Sequence, residues 1–259
     1  MKTYGRLKIA LPFILVIFFT GVFTACVAKN PRLAGAHLEK GIAYIQQGQY
    51  TPALKELLDA KQSNPNDPLI HYYLGAAYHG KKLNQDAMAA FKEAIHLKAK
   101  YSEAHNYLGI IYAEKGSWDQ AIEEYKKAAS NILYETPASA YNNMGYAYFK
   151  KGDYQAALAS FDEAIVKDPN TALIPLIEKN RGMCYFAAGR IKEAIHHLEK
   201  SIEVAPDFPE AHYWLAECYI ELKNIKAATE EYMLIIKTAP ESEFGIKAKE
   251  GLSAIAASR

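Results

Sequence analysis

The sequence predicts an all-α protein built from helical hairpins that stack side by side. The clearest hairpin lies in residues 140–169, where one apolar stripe with helical spacing precedes Gly152 and a second one follows it. The first stripe comprises Tyr141, Met144, Gly145 and Tyr148, and the second comprises Tyr154, Ala157, Leu158, Phe161, Ala164 and Ile165. A small residue such as Gly145 stands where two helix backbones must approach closely. One hairpin of this size cannot bury its own apolar surface, so it needs neighbouring hairpins.

A small residue followed three positions later by a tyrosine recurs along the chain. The pairs are Gly41 with Tyr44, Gly75 with Tyr78, Gly109 with Tyr112, Gly145 with Tyr148, Gly182 with Tyr185, and Ala216 with Tyr219. Successive small residues are 34, 34, 36, 37 and 34 residues apart. A period near 34 residues, with Leu-Gly, Tyr, Ala, an aromatic residue, Ala and Pro in this order, resembles the tetratricopeptide repeat.

The resemblance implies a right-handed superhelical solenoid of six hairpins followed by a C-terminal capping helix. The expected repeats are residues 34–67, 68–101, 102–137, 138–174, 175–208 and 209–242, and the expected capping helix covers residues 243–259. Four turns inside hairpins carry a glycine that suits the left-handed conformation at a helix end. These are Gly48, Gly116, Gly152 and Gly189. The two longer intervals arise at residues 131–139 and 168–174, where extra residues lengthen a helix or loop.

A short basic segment and an apolar run precede the repeats. The apolar run, residues 9–23, is shorter than the roughly 20 residues that a membrane-spanning helix needs, and it fits the core of a secretory signal. The residues Phe23-Thr24-Ala25-Cys26 resemble a bacterial lipobox. This resemblance implies that residues 1–25 are a lipoprotein signal peptide and that Cys26 is lipidated. Two alternatives are an uncleaved anchor and an ordinary secretory cut beside a cysteine without a role.

The expected mature chain begins with a short tether, residues 26–33. The residue directly after Cys26 is Val27 and not aspartate. In lipoprotein sorting this feature resembles the outer-membrane class. The resemblance therefore implies a domain that is anchored by lipid in the outer membrane and faces the periplasm. Acyl chains contribute about 0.8 kcal/mol for each buried CH₂ group, so several chains together hold a domain at a membrane surface.

Charge and composition argue against a nucleic-acid partner. The chain has 30 basic and 29 acidic residues, and three of the basic ones, Lys2, Arg6 and Lys8, lie in the first 25 residues. Without that segment 27 basic residues stand against 29 acidic ones, for a net charge of −2. A nearly neutral chain with interspersed charges lacks the basic surface that binds nucleic acid.

The sequence predicts neither catalysis nor a bound metal or cofactor. It contains no HExxH or CxxC motif, no phosphate-binding glycine loop and no nucleophile elbow. His196 and His197 are adjacent and point to different sides of a helix, so they do not form a metal pair. Cys184 and Cys218 occupy equivalent positions in adjacent repeats, about 8–10 Å apart, which is too far for a disulfide. We expect both to be small buried thiols.

First helices line the concave groove of tetratricopeptide proteins, so the resemblance predicts a second stripe on each first helix that faces this groove. A protein or peptide is the expected occupant, and no small-molecule substrate is expected. The predicted groove residues are Leu38, Ile42, Ile45, Tyr72, Asn106, Ile110, Asn142, Tyr146, Phe149, Lys179, Met183, Phe186 and Tyr213. Exposed apolar and aromatic residues of this kind mark partner sites, with packing against neighbouring repeats as the alternative. Lys179, Asn106 and Asn142 do not form the arrangement with which some proteins of this class bind the carboxylate tail of a chaperone. Asn106 and Asn142 could instead hydrogen-bond to the backbone of an extended peptide.

A lipobox followed directly by six such repeats resembles the type IV pilus biogenesis and stability lipoproteins, the pilotins that help a secretin to assemble in the outer membrane. The segment Leu133-Tyr134 resembles the lengthened junction of that family. The resemblance implies an adaptor whose groove engages the secretin. The alternatives are a general periplasmic scaffold lipoprotein that recruits envelope enzymes and, from a different class, a cytoplasmic-facing or cryptic enzyme.

Overall fold

A computed structural model describes residues 30–257, and over this range the chain forms thirteen α-helices. The helices are α1 (Pro31–Gln46), α2 (Tyr50–Ser63), α3 (Pro68–Gly80), α4 (Asn84–Leu97), α5 (Ser102–Glu114), α6 (Trp118–Ala129), α7 (Pro137–Lys150), α8 (Tyr154–Lys167), α9 (Ile174–Ala187), α10 (Ile191–Val204), α11 (Pro209–Glu221), α12 (Ile225–Thr238) and α13 (Glu243–Ala257). They pair into six consecutive hairpins with α13 at the end, so the predicted all-α solenoid is confirmed. The segment predicted as a signal peptide, residues 1–25, and the predicted lipidation site Cys26 lie outside the described residues, and α1 begins inside the segment predicted as a tether.

The turns between paired helices have the backbone conformation that their glycines predict. Gly48, Gly116, Gly152 and Gly189 have φ values of 71°, 72°, 79° and 73°. The second and sixth hairpins carry lysine at this position, with φ of 62° at Lys82 and 58° at Lys223. A side chain in this region crowds the backbone, so these two turns are strained relative to their glycine counterparts.

Each hairpin is closed by a large side chain of the second helix that lies against the small residue of the first. A Cβ atom added to Gly145 would lie 2.6 Å from Cε1 of Phe161, and one added to Gly109 would lie 2.5 Å from Cε1 of Tyr125. Phe161 is completely buried and Tyr125 is 2% exposed. The predicted close approach of the helix backbones is therefore present, and it leaves no room for a methyl group.

A histidine and a glutamate nineteen residues apart join the two helices of four hairpins. A histidine Nδ1 lies 2.6–2.7 Å from a glutamate carboxylate oxygen in each pair. The pairs are His37 with Glu56, His105 with Glu124, His197 with Glu178 and His212 with Glu231. In the α9–α10 hairpin the two residue types have exchanged helices. Such pairs supply polar cross-links inside otherwise apolar interfaces.

The first helices of the hairpins form the inner wall of the solenoid. Besides its own partner, α1 contacts α3, α5 contacts α7, α7 contacts α9, and α9 contacts α11. Within residues 30–257, successive second helices do not contact each other to the extent that these first helices do. The first helices are therefore closer together and line the concave side, while the second helices spread over the outside.

The last helix covers the apolar end of the sixth hairpin. Ala248 of α13 is fully buried against Tyr232 and Ile235 of α12, and Phe244 and Leu252 pack around them. The two cysteines of the described region are free and buried, as expected. Burial raises the pKa of each thiol to about 12, so both stay protonated.

Candidate functional site

A cavity of about 350 Å³ opens on the concave wall between the first helices of the second to fifth hairpins. Helices α3, α5, α7 and α9 contribute to it, together with the two lengthened junctions. The lining residues are Tyr72, Glu103, Asn106, Tyr107, Ile110, Tyr134, Thr136, Ser139, Asn142, Asn143, Leu173 and Leu176. A mostly apolar hollow with a few convergent polar groups has the composition of a binding site.

The floor of the cavity is a packed aromatic cluster. The Tyr72 ring lies 5.2 Å from the ring of Tyr101 and 5.7 Å from that of Tyr107, measured between centroids. Tyr107 in turn stacks on Phe91 at 5.3 Å. Burial, with the neighbouring tyrosines, raises the pKa of Tyr72 far above its usual value, so its hydroxyl stays neutral. These contacts hold the rings in fixed positions.

Asparagine side chains connect the first helices beside this floor. Asn143 Nδ2 donates to Asn106 Oδ1 at 3.1 Å, which joins α7 to α5. Asn180 Nδ2 donates to Asn142 Oδ1 at 2.9 Å, which joins α9 to α7. Within the described chain these bonds leave the amide NH₂ groups of Asn106 and Asn142 and the Oδ1 atom of Asn143 without a protein partner. The cavity thus offers both donors and an acceptor to a ligand.

Glu103 is the single charged residue among those that line the cavity. It is half-buried, and in residues 30–257 it makes neither a hydrogen bond nor an ion pair. Burial raises the pKa values of Tyr72, Tyr101 and Tyr134, and the negative charge of Glu103 raises all three further. The carboxylate shares the cavity lining with Tyr72, Tyr107 and Tyr134 and is the single charge among the lining residues.

The thirteen predicted groove residues fall into three environments. Those that line the cavity are Tyr72, Asn106, Ile110 and Asn142. Those that are half-buried elsewhere on the first helices are Ile42, Ile45, Tyr146, Phe149, Phe186 and Tyr213. Those that are buried outside the cavity are Leu38, Lys179 and Met183. Contact with a partner stays a prediction for all of them.

Lys179 and Tyr213 are already engaged with other residues of the chain. The Lys179 ammonium lies 3.0 Å from Glu210, and the lysine side chain is only 4% exposed. Burial lowers the pKa of Lys179, and the Glu210 carboxylate opposes that effect. The Tyr213 ring contacts Phe244 of the last helix at 5.5 Å. Lys179 therefore joins α9 to α11, and Tyr213 joins α11 to α13.

Eight of the twelve lining residues were not among the predicted groove residues, and three of these eight come from the junctions between hairpins. Tyr134 and Thr136 lie between α6 and α7, and Leu173 lies just before α9. The intervals of 36 and 37 residues were the available signal, since they show where extra residues enter an otherwise regular array. The first junction also exposes Ile132 and Leu133, at 96% and 83%, while Asn131 ties it to Ser102 and to Lys100.

The described residues contain no cluster of His, Cys, Asp or Glu side chains that could hold a metal ion. None of the helices in residues 30–257 has the length and apolarity required to cross a membrane. The groups that this cavity presents, amides, tyrosines and one carboxylate, suit recognition of another molecule.

Comparison with known proteins agrees with the repeat architecture. Models of the tetratricopeptide repeat match residues 185–249, residues 138–171, and residues 41–82 with 109–152. The curated protein DnaJ homolog subfamily C member 3 from Bos taurus is 23% identical over 243 residues, which are 90% of this chain and 48% of the relative. The chain thus spans about half the length of that relative.

Two solved structures of similar length have the same fold. Pseudomonas aeruginosa PilF matches with a TM-score of 0.73 and 14% identity, over 86% of this chain and 98% of PilF. PilW, a widely conserved type IV pilus biogenesis factor, matches with a TM-score of 0.75 and 21% identity, over 83% of this chain and 97% of PilW. Proteins of this fold are generally interaction scaffolds that bind peptides or proteins. The chain is a tetratricopeptide-repeat protein, and its architecture is that of a protein-binding adaptor.

Proposed function

We propose that the protein is a lipid-anchored adaptor of the outer membrane that assists secretin assembly in type IV pilus biogenesis. The observation that carries this proposal is the match in size and fold to PilF and PilW, whose structures it covers over 98% and 97% of their length. The lipobox-like segment that ends at Cys26 adds a route to the membrane. In this mechanism the concave wall holds a segment of the secretin while the lipid directs the pair to the outer membrane.

Deletion of the gene in the producing organism tests the role. Secretin multimers should disappear from outer-membrane fractions and return when the wild-type gene is supplied in trans. Multimers that persist at wild-type abundance in the deletion strain would refute the role. Capture of an envelope hydrolase in that case would identify a periplasmic scaffold instead.

The anchor is tested separately through Cys26→Ser. The wild-type protein should incorporate a labelled fatty-acid analogue and sediment with outer membranes, whereas the variant should do neither. Cys184→Ser is the matched control, because that thiol is buried and protonated and is not an acylation site. Labelling of the Cys26→Ser variant would contradict lipidation at this position.

The groove is tested by the double variant Tyr146→Ala and Phe149→Ala. The two rings pack on each other at 6.1 Å and are half-buried on α7. If they are partner anchors, capture of the secretin should weaken at least tenfold while helical content stays unchanged. Loss of the helical circular-dichroism signal would show instead that the rings belong to the core.

A further inference from the structure

The cavity on the concave wall has a charge that selects its occupant. Glu103 is its single charged lining residue, and no lysine or arginine lines it. We propose that the cavity binds an extended polypeptide segment of a partner protein and receives a lysine or arginine side chain of that segment beside Glu103. This inference rests on the proposed role as a protein-binding adaptor, and it names the chemistry of the bound segment.

The surroundings of Glu103 suit a cation. Tyr72, Tyr107 and Tyr134 line the same cavity, and the Tyr72 and Tyr107 rings are held by their own aromatic neighbours. A cation close to a carboxylate and to aromatic faces gains both a charge-assisted hydrogen bond and a cation–π interaction. Because Glu103 has no internal partner in the described chain, an incoming cation displaces no existing ion pair.

The polar groups beside the tyrosines suit a peptide backbone. Asn106 and Asn142 each keep a free NH₂ group, and Asn143 keeps a free carbonyl oxygen, within the part of the chain that the structure describes. Two donors and an acceptor match the carbonyl and N–H groups of an extended chain, which has no internal hydrogen bonds to satisfy them. Leu173 and Leu176, which line the same cavity, offer apolar contact to a neighbouring residue of the segment. This pattern favours a peptide over a free amine, which would leave the amides unused.

The negative charge of the cavity is opposite to the positive charge of a groove that binds a carboxylate tail. The one buried lysine predicted to face the groove, Lys179, is neutralised by Glu210 at 3.0 Å and does not line the cavity. A segment with an acidic residue at this point would place two carboxylates together without a compensating cation. Acidic segments should therefore be rejected.

A position-scanned library of N-acetylated and C-amidated nonapeptides, with one fixed central residue and random flanks, tests the proposal. Peptides retained by the purified full-length protein should be enriched about five- to tenfold for lysine or arginine over glutamine at the centre. Glu103→Gln should abolish this preference, and Glu103→Lys should reverse it toward aspartate and glutamate. Glu203→Gln, at an exposed position on α10, is the matched control and should keep the wild-type preference.

Three results would overturn the proposal. They are retained peptides without a basic preference, a preference that survives in Glu103→Gln, and equal binding of lysine amide without a peptide. Since Glu103 is half-buried and makes no internal bond in residues 30–257, its variants should fold, which far-UV circular dichroism checks. Enrichment in the wild type should also fall as salt is raised, a readout that needs no variant. The secretin assay above stays independent: lost multimers together with absent basic preference would remove this inference alone.

Discussion

Replacement of Gly145 by alanine measures how closely α7 and α8 approach. An added Cβ would lie 2.6 Å from Cε1 and 2.7 Å from Cδ1 of Phe161, whose ring is completely buried. Forcing a methyl group into a filled core costs about 1–3 kcal/mol. The higher helix propensity of alanine returns at most about 1 kcal/mol. The net expectation is a loss of up to about 2 kcal/mol in the free energy of unfolding.

Gly35→Ala separates the two effects, because Gly35 also lies within a helix but a Cβ there would meet no atom within 4 Å. This control receives the propensity gain alone. Urea denaturation followed by far-UV circular dichroism should place Gly145→Ala about 1–3 kcal/mol below Gly35→Ala. Hydrogen exchange should localise the loss to α7 and α8. Equal stability of the two variants would refute the close approach.

Three further changes test other features by urea denaturation. Lys82→Gly should raise the free energy of unfolding by about 0.5–1 kcal/mol, because glycine adopts the φ of 62° without crowding; an unchanged or lower value would contradict strain in that turn. Burial lowers the pKa of His212, but the hydrogen bonds that its ring donates to the Glu231 carboxylate and to the Pro206 carbonyl raise this pKa by more, so the folded pKa lies above the unfolded one. The pair therefore stabilises the fold below about pH 6.5, and this contribution is lost as the pH rises through the folded pKa. Glu231→Gln should lower the free energy of unfolding by about 1.5–3 kcal/mol at pH 6 and by less at pH 8.5. The same loss at both pH values would contradict this pH dependence. The double variant Ile132→Ser and Leu133→Ser should change stability by less than about 0.5 kcal/mol, since both side chains are exposed, and a larger loss would show that they pack in the native state.

Periodic features of the chain could be read from the sequence because they depend on contacts within one hairpin. The spacing of Gly145 and Phe161 determines which atoms meet, and the turn glycines determine where the backbone reverses. The histidine–glutamate pairs also depend on contacts within one hairpin, and their separation of nineteen residues is constant. The sequence contains this spacing, although it was not used to predict the pairs. Such features recur at every copy of the repeat, so each copy supports the others.

The candidate cavity was less predictable because it depends on how hairpins are placed relative to one another. Tyr134 and Leu173 come from junctions whose conformation follows from no periodic pattern. Lys179 shows the same difficulty. A lysine on a first helix suggests exposure, but in the structure it is buried and paired with Glu210 of the next hairpin. No pattern in the sequence distinguishes Glu103 from the other acidic residues of the helices, and only the assembled wall places it in one cavity with three tyrosines and with no lysine or arginine among the lining residues.

The apolar interior is divided into separate clusters along the solenoid, each shared by adjacent helices. Because a terminal hairpin has a neighbour on one side only, we expect local opening to begin at the ends of the solenoid and to spread inward one hairpin at a time. The cavity is built by α3 to α9, so at least one hairpin shields it on each side. Fluctuations that detach the outermost helices would therefore leave the cavity assembled and able to bind.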